Sequence, residues 1–255
     1  MEEIGYGPPI VCLHGLGGSA QWFLDFGKRL QKHYRVVALD LSDFGADDAS
    51  RCLFSLTLCE ERLSRFLAER FSEPVNLLGH SMGTIVALRL AAKMPKHIRS
   101  LVLSNGLPEV TVSTRERLIR RIGEIRVSGM AGFGSRVSRA NFSPSSLQRI
   151  PEVVAQFEKN FESLPVGPYV EAIQELLGYS AVEVLSQIHA PSLLLTGAED
   201  GYAPPDAVRE FADRLPGKVE IVILENCGHL PFIEAPERFA GTVKTFLEAQ
   251  SKVTS

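Results

Sequence analysis

Short apolar runs alternate with amphipathic segments along most of the chain. Six of these runs predict buried strands, and they cover residues 10–13, 34–39, 75–78, 99–103, 192–195 and 219–224. Hydrophobic residues at helical spacing predict helices over 20–32, 55–71, 85–92 and about 206–214, and a last helix begins at Pro236. Because strands that are apolar throughout alternate with helices, we expect an α/β fold, a mostly parallel sheet with helices on both faces.

The alternation stops between about residues 107 and 187, a stretch that is rich in helical patterns and interrupted by glycines and prolines. We interpret this stretch as a helical insertion above the carboxyl edge of the sheet, where open α/β sheets bind ligands. The predicted organisation is therefore an α/β core, residues 1–106 and 188–255, that carries a helical cap, residues 107–187.

Composition narrows the class of protein. The 255 residues are 45% hydrophobic and 22% charged, which excludes a disordered chain. The formal net charge of −3 provides no basic field for binding nucleic acid. Four cysteines without a CxxC pair indicate neither a disulfide scaffold nor a structural zinc site, so no metal is expected. No apolar stretch approaches 18 residues and the acidic start is unlike a signal peptide, so we expect a cytoplasmic protein without a membrane span.

The strongest chemical signal is the pentapeptide Gly79-His80-Ser81-Met82-Gly83, which lies between a predicted strand and a predicted helix. A G-x-S-x-G segment in this context forms a sharp turn that holds the serine above the sheet, where its hydroxyl can act as a nucleophile. The two glycines avoid the clashes that such a turn would cause. Ser81 is therefore the candidate nucleophile.

A serine hydroxyl needs a base, and the base needs an acid that orients it. Among the six histidines, His229 has the most suitable place, in a loop after the strand predicted at 219–224. Asp200 follows the strand predicted at 192–195, and its short carboxylate at the strand end makes it the preferred acid. The neighbouring Glu199 is the competing candidate.

An oxyanion that forms during attack needs two backbone N–H groups aimed at one point. Met82 would supply one, because it follows the candidate nucleophile. Leu16 would supply the other, because it lies in the glycine-rich loop His14-Gly15-Leu16-Gly17-Gly18 after the first long strand. The chain has no G-x-x-x-x-G-K-[ST] segment and this loop has no G-x-G-x-x-G, so no nucleotide cofactor is predicted.

Together these segments resemble the α/β-hydrolase superfamily, over residues 8–248. The resemblance rests on four motifs in one order, which are residues 14–18, residues 79–83, Gly197-Ala198-Glu199-Asp200, and Gly228-His229 followed by Glu234 and Pro236. It implies acyl chemistry, because Ser81 stands where dehalogenases and epoxide hydrolases carry aspartate. Cap length, the segment 126–130 and the compact size look like those of 3-oxoadipate enol-lactonases and pimeloyl-acyl-carrier-protein methyl ester esterases.

The chain departs from the superfamily pattern at its start and after Asp40. The superfamily usually has two antiparallel strands before the first parallel one, but only nine residues precede Ile10. We therefore expect a shortened antiparallel edge or a truncated chain. Asp43 replaces the first glycine of the usual G-x-G-x-S loop, here residues 41–47, so that loop should differ in geometry.

The predicted cap carries an uneven charge. Residues 113–150 hold eight arginines and two glutamates. Part of this charge would form a solvated helix face with i,i+4 pairs. The sharper hypothesis is a positive surface for an anionic substrate or an acidic acyl carrier protein, formed by Arg117, Arg120, Arg121, Arg136 and Arg139. An apolar substrate pocket would use Met130, Phe133, Phe142, Phe157, Phe161 and Phe232, although aromatic residues at such spacing are mostly core.

The leading hypothesis is a serine-dependent hydrolase of carboxylic esters, thioesters or lactones that works through an acyl-enzyme intermediate. Its substrate would be a small-molecule ester or lactone, and no cofactor is expected. Narrower alternatives are a pimeloyl-acyl-carrier-protein methyl ester esterase-like enzyme, an enol-lactonase-like enzyme, a hydrolase of carbon–carbon bonds, and a lyase or acyltransferase on the same residues. A non-catalytic interaction protein that keeps the fold is the alternative from another class.

Overall fold

The computed structural model describes residues 1–45 and 54–251. Within them, seven strands form one sheet in the order β1-β3-β2-β4-β5-β6-β7. The strands are β1 (Glu2–Ile4), β2 (Pro9–Leu13), β3 (Arg35–Leu39), β4 (Val75–His80), β5 (Ile98–Ser104), β6 (Ser192–Gly197) and β7 (Val219–Leu224). Neighbouring strands are parallel, except that β1 is antiparallel to β3. The predicted mostly parallel sheet with a shortened antiparallel edge is therefore confirmed.

Three of the inner strands are buried along their whole length. Every residue of β2, β4 and β6 is buried, as expected for parallel strands covered on both faces. Leu13 at the end of β2 pairs with Leu39 of β3 and Gly79 of β4. This register aligns the carboxyl ends of the strands, so the loops that follow them meet at one edge of the sheet.

Helices cover the sheet and fill the long connection between β5 and β6. Those of the core are α1 (Leu24–Leu30), α2 (Leu41–Gly45), α3 (Leu56–Arg70), α4 (Met82–Lys93), α10 (Pro205–Ala212), α11 (Pro231–Glu234) and α12 (Pro236–Ser251). Those between β5 and β6 are α5 (Val112–Ser128), α6 (Gly134–Asn141), α7 (Pro144–Arg149), α8 (Pro151–Glu162) and α9 (Val166–Gly178). Short 3₁₀ helices lie at Ala20–Phe23, Pro95–His97 and Val182–Gln187.

Two sequence-based expectations change in detail. The helix predicted over 20–32 is a 3₁₀ turn, Ala20–Phe23, followed by α1. The first part of the loop expected at 41–47 forms α2, whereas its last residues, Ala46 and Asp47, lie outside the described residues, as does Cys52. In the described ranges, 1–45 and 54–251, no helix combines the length and the apolar character that crossing a membrane requires.

A partly buried ionic cluster ties the helices between β5 and β6 to α3 and α4. Glu60 in α3 accepts hydrogen bonds from Arg89 Nε in α4, at 2.6 Å, and from the hydroxyl of Tyr179, at 2.9 Å. Arg89 also donates to the carbonyl oxygen of Ser180, at 2.9 Å, and pairs with Glu183. Because Tyr179 and Ser180 directly follow α9, this cluster fixes where the insertion returns to the sheet.

The close approach of β2 to α4 yields a prediction. A Cβ at Gly83 would lie 2.3 Å from the carbonyl oxygen of Leu13, so Gly83→Ala must push two backbone segments apart. We expect this variant to lose about 1–3 kcal/mol of unfolding free energy, as overpacked cores do. Gly123→Ala is the matched control in α5, where a Cβ meets nothing within 4 Å. It should gain about 0.5–1 kcal/mol, because alanine favours a helix.

Urea unfolding followed by circular dichroism measures both values. Equal effects of the two substitutions would contradict the tight packing of β2 against α4.

Candidate active site

The candidate nucleophile lies on a strained turn. Ser81 joins β4 to α4 with φ of 52° and ψ of −116°, a left-handed conformation that costs a non-glycine residue energy. The turn is held because the Ser81 N–H donates to the carbonyl oxygen of Ser104, at 2.9 Å. Its flanking glycines are obligatory: a Cβ at Gly79 would lie 2.4 Å from the carbonyl oxygen of Gly83. The serine side chain is thereby left partly accessible at the carboxyl edge of the sheet.

Three predicted residues meet in one hydrogen-bonded chain. Ser81 Oγ lies 3.0 Å from His229 Nε2. His229 Nδ1 lies 3.0 and 2.9 Å from the two carboxylate oxygens of Asp200. When the Nδ1–H of His229 donates a hydrogen bond to Asp200, Nε2 carries no proton and can accept one from the serine hydroxyl. This geometry can activate a hydroxyl as a nucleophile.

Asp200 is held ionised by its surroundings. Burial raises the pKa of a carboxyl, but the interaction with His229 and hydrogen bonds from the Tyr202 N–H and Asn105 Nδ2 outweigh it and lower the pKa to about 2. These two donors lie 2.7 and 2.9 Å from the carboxylate oxygens. The competing candidate Glu199 is exposed to solvent. Among the described residues, the carboxylate that binds His229 Nδ1 is that of Asp200.

Asn105 has a structural role that sequence reasoning missed. Its Nδ2 donates to Asp200 and also to the carbonyl oxygen of Gly228, at 3.0 Å. It therefore links the loops that follow β5, β6 and β7. Asn105 itself has a positive φ of 51°. Its place directly after β5 and before Gly106 was the available signal, since asparagine tolerates this conformation at a strand end.

The loop that carries His229 is organised by a second buried carboxylate, that of Glu234. Glu234 is fully buried and accepts hydrogen bonds from the backbone N–H groups of Ser143, Gly228 and Leu230, at 2.8 to 3.1 Å. Because Gly228 and Leu230 are the residues on either side of His229, Glu234 fixes the backbone that positions the imidazole. The sequence motif contains this glutamate, but its spacing alone did not reveal this function.

Leu16 and Met82, the predicted oxyanion donors, line the same cavity as Ser81. His14 sets the direction of the Leu16 N–H. The Leu41 N–H donates to His14 Nε2, at 3.0 Å, so the ring proton is on Nδ1, which donates to the carbonyl oxygen of Gly15, at 2.8 Å. Burial lowers the pKa of His14, which keeps the ring neutral.

That carbonyl belongs to the peptide bond between Gly15 and Leu16, and it also accepts from the Gly18 N–H, at 3.0 Å. In a trans peptide the C=O and N–H point in opposite directions. Two donors on the carbonyl therefore turn the Leu16 N–H the other way. Neither this N–H nor that of Met82 has a hydrogen-bond acceptor among the residues described. Two such groups beside a nucleophile can bind an oxyanion.

The structure distributes the predicted pocket residues over two layers. Phe157 and Phe161 line the cavity. The others are buried behind this lining: Phe142 contacts Phe157 with ring centroids 5.2 Å apart, and Phe133 stacks on Phe161 at 6.2 Å. Met130 is buried with them, and Phe232 packs against the ring of His80, at 4.8 Å. Trp22 and Tyr202 also line the cavity, although the sequence did not indicate them, and so does Arg121, which was predicted on the cap surface.

The five predicted cap arginines do not form one exposed surface. Arg120, Arg136 and Arg139 are exposed, and Arg136 also pairs with Glu124, at 3.0 Å. Arg117 lies over the ring of Tyr202, 4.5 Å from its centroid, and Arg121 lines the cavity. In the described part of the chain, no group of three or more His, Cys, Asp or Glu side chains has a metal-binding arrangement.

A family model of the alpha/beta hydrolase fold matches residues 8–236. The chain belongs to this family.

Related proteins cover nearly the whole chain. It is 26% identical over 248 residues to (E)-2-((N-methylformamido)methylene)succinate hydrolase of Acinetobacter baylyi, covering 96% of this chain and 92% of that protein. It is 28% identical over 246 residues to a pimeloyl-[acyl-carrier protein] methyl ester esterase of Neisseria meningitidis, covering 94% and 93%. The enol-lactonase structure from Burkholderia xenovorans superposes with a TM-score of 0.86 at 24% identity, covering 97% and 95%, and shows the same fold.

The carboxylate under the histidine loop yields a prediction. Glu234→Gln places an amide NH₂ against backbone N–H donors, so at least one buried donor loses its acceptor. We expect a loss of about 1–3 kcal/mol of unfolding free energy. The control is Glu237→Gln, because the side chain of Glu237 is 85% exposed and should change stability little. Urea unfolding of both variants measures the difference, and equal stabilities would contradict the role of Glu234.

Proposed function

We propose that this member of the alpha/beta hydrolase family is a serine hydrolase that cleaves carboxylic esters through an acyl-enzyme intermediate. One observation carries the proposal: the continuous hydrogen-bonded path from Ser81 Oγ through His229 to the buried carboxylate of Asp200. This path supplies a nucleophile, a base and an orienting acid in one cavity. The esterase and hydrolase relatives support the same class of reaction.

The proposed reaction has two halves. Ser81 Oγ attacks the ester carbonyl carbon while His229 Nε2 takes the serine proton, and the Leu16 and Met82 N–H groups bind the oxyanion. The carbon–oxygen bond to the leaving group then breaks, and the imidazolium gives its proton to the departing alkoxide. Water repeats the sequence on the acyl-enzyme and releases the acid. Asp200 remains ionised throughout, which its lowered pKa favours.

The helices α5 to α9 act as a cap in this proposal, since they supply Thr114, Arg121, Phe157 and Phe161 to the cavity wall. Thioesters and lactones would react through the same atoms of the protein. The substrate range would therefore depend on which molecules fit the cavity wall that the cap supplies. A carrier-linked methyl ester is a second candidate substrate. The Neisseria relative is an esterase of that type, and Arg120 and Arg139 leave exposed positive charge on the cap for an acidic carrier.

The nucleophile is tested by Ser81→Ala. We expect p-nitrophenyl butyrate turnover to fall by about 10⁴-fold or more, because the residues of such a triad act as a unit. A fluorophosphonate should label the wild-type protein at Ser81 and leave the variant unlabelled, as mass spectrometry would show. A wild-type protein that neither labels nor turns over any ester would favour a non-catalytic role, and retained activity in the variant would exclude Ser81.

The orienting acid is tested by comparing Asp200→Asn with Glu199→Gln. Asparagine can stabilise the wrong imidazole tautomer and cannot stabilise the imidazolium, so kcat should fall by about 10⁴-fold. Glu199→Gln changes an exposed neighbour and should leave kcat near the wild-type value. Steady-state kinetics on one ester measures both variants. A larger loss in Glu199→Gln would assign the acid to Glu199 instead.

A further inference from the structure

A positive charge lies inside the cavity that contains Ser81. Thr114, Leu118 and Arg121 lie on one face of α5, at i, i+4 and i+7, and all three line the cavity. Arg121 Nη1 donates to the hydroxyl of Tyr169, and its Nη2 donates to the hydroxyl of Tyr202, each at 3.0 Å. The guanidinium is thus held at a fixed place in the cavity wall by two tyrosines.

The part of the chain that the structure describes places no carboxylate partner beside this guanidinium. Among the described residues, no Asp or Glu oxygen lies within 4.0 Å of it, whereas Arg89 and Arg136 both form ion pairs. The carboxylate of Asp200 accepts hydrogen bonds from the Tyr202 N–H and Asn105 Nδ2 instead. Glu109 also lines the cavity, but it is exposed and forms no ion pair with Arg121.

The two tyrosine partners do not neutralise the charge. Burial raises the pKa of Tyr169, so its phenol stays neutral. An arginine offers five N–H donors, and two of them are used here. A partly buried cation without a counter-ion is costly, and a planar guanidinium matches a carboxylate in a two-point contact. The unsatisfied donors therefore fit an anionic group that enters the cavity.

Tyr202 places this charge near the reacting atoms. Its hydroxyl accepts from Arg121, its ring centroid lies 4.8 Å from that of His229, and its N–H donates to Asp200. One aromatic side chain therefore separates the guanidinium from the imidazole. A single small ligand in the cavity can therefore contact both groups.

We propose that Arg121 binds a free carboxylate of the substrate, so that the preferred substrates are short esters that bear a second, ionised carboxyl group. The substrate class rests on the proposed ester hydrolysis, whereas carboxylate binding by Arg121 does not. Arg121 acts here as a specificity-determining residue, and Tyr169 and Tyr202 orient its guanidinium.

Paired substrates test the proposal by kinetics. For a carboxylate on the acyl group, p-nitrophenyl hydrogen glutarate is compared with its neutral methyl ester. For a carboxylate on the leaving group, 4-carboxyphenyl butyrate is compared with 4-(methoxycarbonyl)phenyl butyrate. The wild-type protein should prefer the charged member of at least one pair. In Arg121→Gln the ratio of kcat/KM between charged and neutral members should fall about 10- to 100-fold, mainly through KM, as expected for loss of a charged hydrogen bond.

Two further variants sharpen this comparison. Arg121→Lys keeps the charge without the planar fork and should recover part of the ratio. Arg126→Gln removes an exposed charge from another position of α5 and should leave the ratio at the wild-type value. A ratio unchanged in Arg121→Gln for both pairs, or lowered equally by Arg126→Gln, would overturn the assignment.

Direct binding separates this proposal from the proposed reaction. Glutarate binding to Ser81→Ala is measured by isothermal titration calorimetry and should weaken at least about tenfold when Arg121→Gln is added. This result would stand even if the wild-type protein hydrolysed no ester. Equal glutarate affinity with and without Arg121, or no binding at millimolar concentration, would overturn it.

Discussion

The close contact between the end of β2 and the start of α4 is the constraint on which the site depends. Gly83 sits directly against the carbonyl oxygens of Leu13 and His14, with no room for a Cβ. The same contact leaves Gly15 beside Ser81, where an added Cβ would lie 3.0 Å from the serine Cβ. Because the end of β2 lies this close to the start of α4, the turn at Ser81 and the glycine-rich loop line the same cavity.

Buried polar groups then fix what the backbone has brought together. His14 turns the Leu16 N–H, Asn105 joins the Asp200 loop to the His229 loop, and Glu234 gathers the N–H groups around the histidine. Each of these groups is buried and hydrogen-bonded, so its removal would leave a partner unsatisfied in a site of low polarity. The proposed chemistry thus depends on residues outside the hydrogen-bonded chain of Ser81, His229 and Asp200.

The sequence predicted the core well because its signals are local. Each parallel strand is an apolar run, and Ser81, Asp200 and His229 all follow such runs, so a parallel sheet must bring them to one edge. β1 carried no such signal, because its three residues include only one apolar side chain and are defined by pairing with β3. The roles of Asn105 and Glu234 also escaped, since each binds a partner distant in sequence: Asn105 donates to the Asp200 carboxylate and the Gly228 carbonyl, and Glu234 accepts from the Ser143 N–H. Packing between the helices α5 to α9 decides which aromatic residues face the cavity. The spacing of these residues in the sequence does not predict that packing.

The arginines of α5 differ in their position around the helix, and this position decides which of them is exposed. Leu118 and Ile125 are buried, and Arg121 lies between them at i+3 from one and i−4 from the other, on the same stripe. Arg120 falls outside this stripe and is exposed. An arginine in the apolar stripe of an amphipathic helix must find polar partners inside the protein, and here it finds two tyrosines and the cavity. In the proposed reaction, the loops after the strands therefore supply the bond-breaking groups, whereas one face of α5 supplies the charge that a ligand would meet.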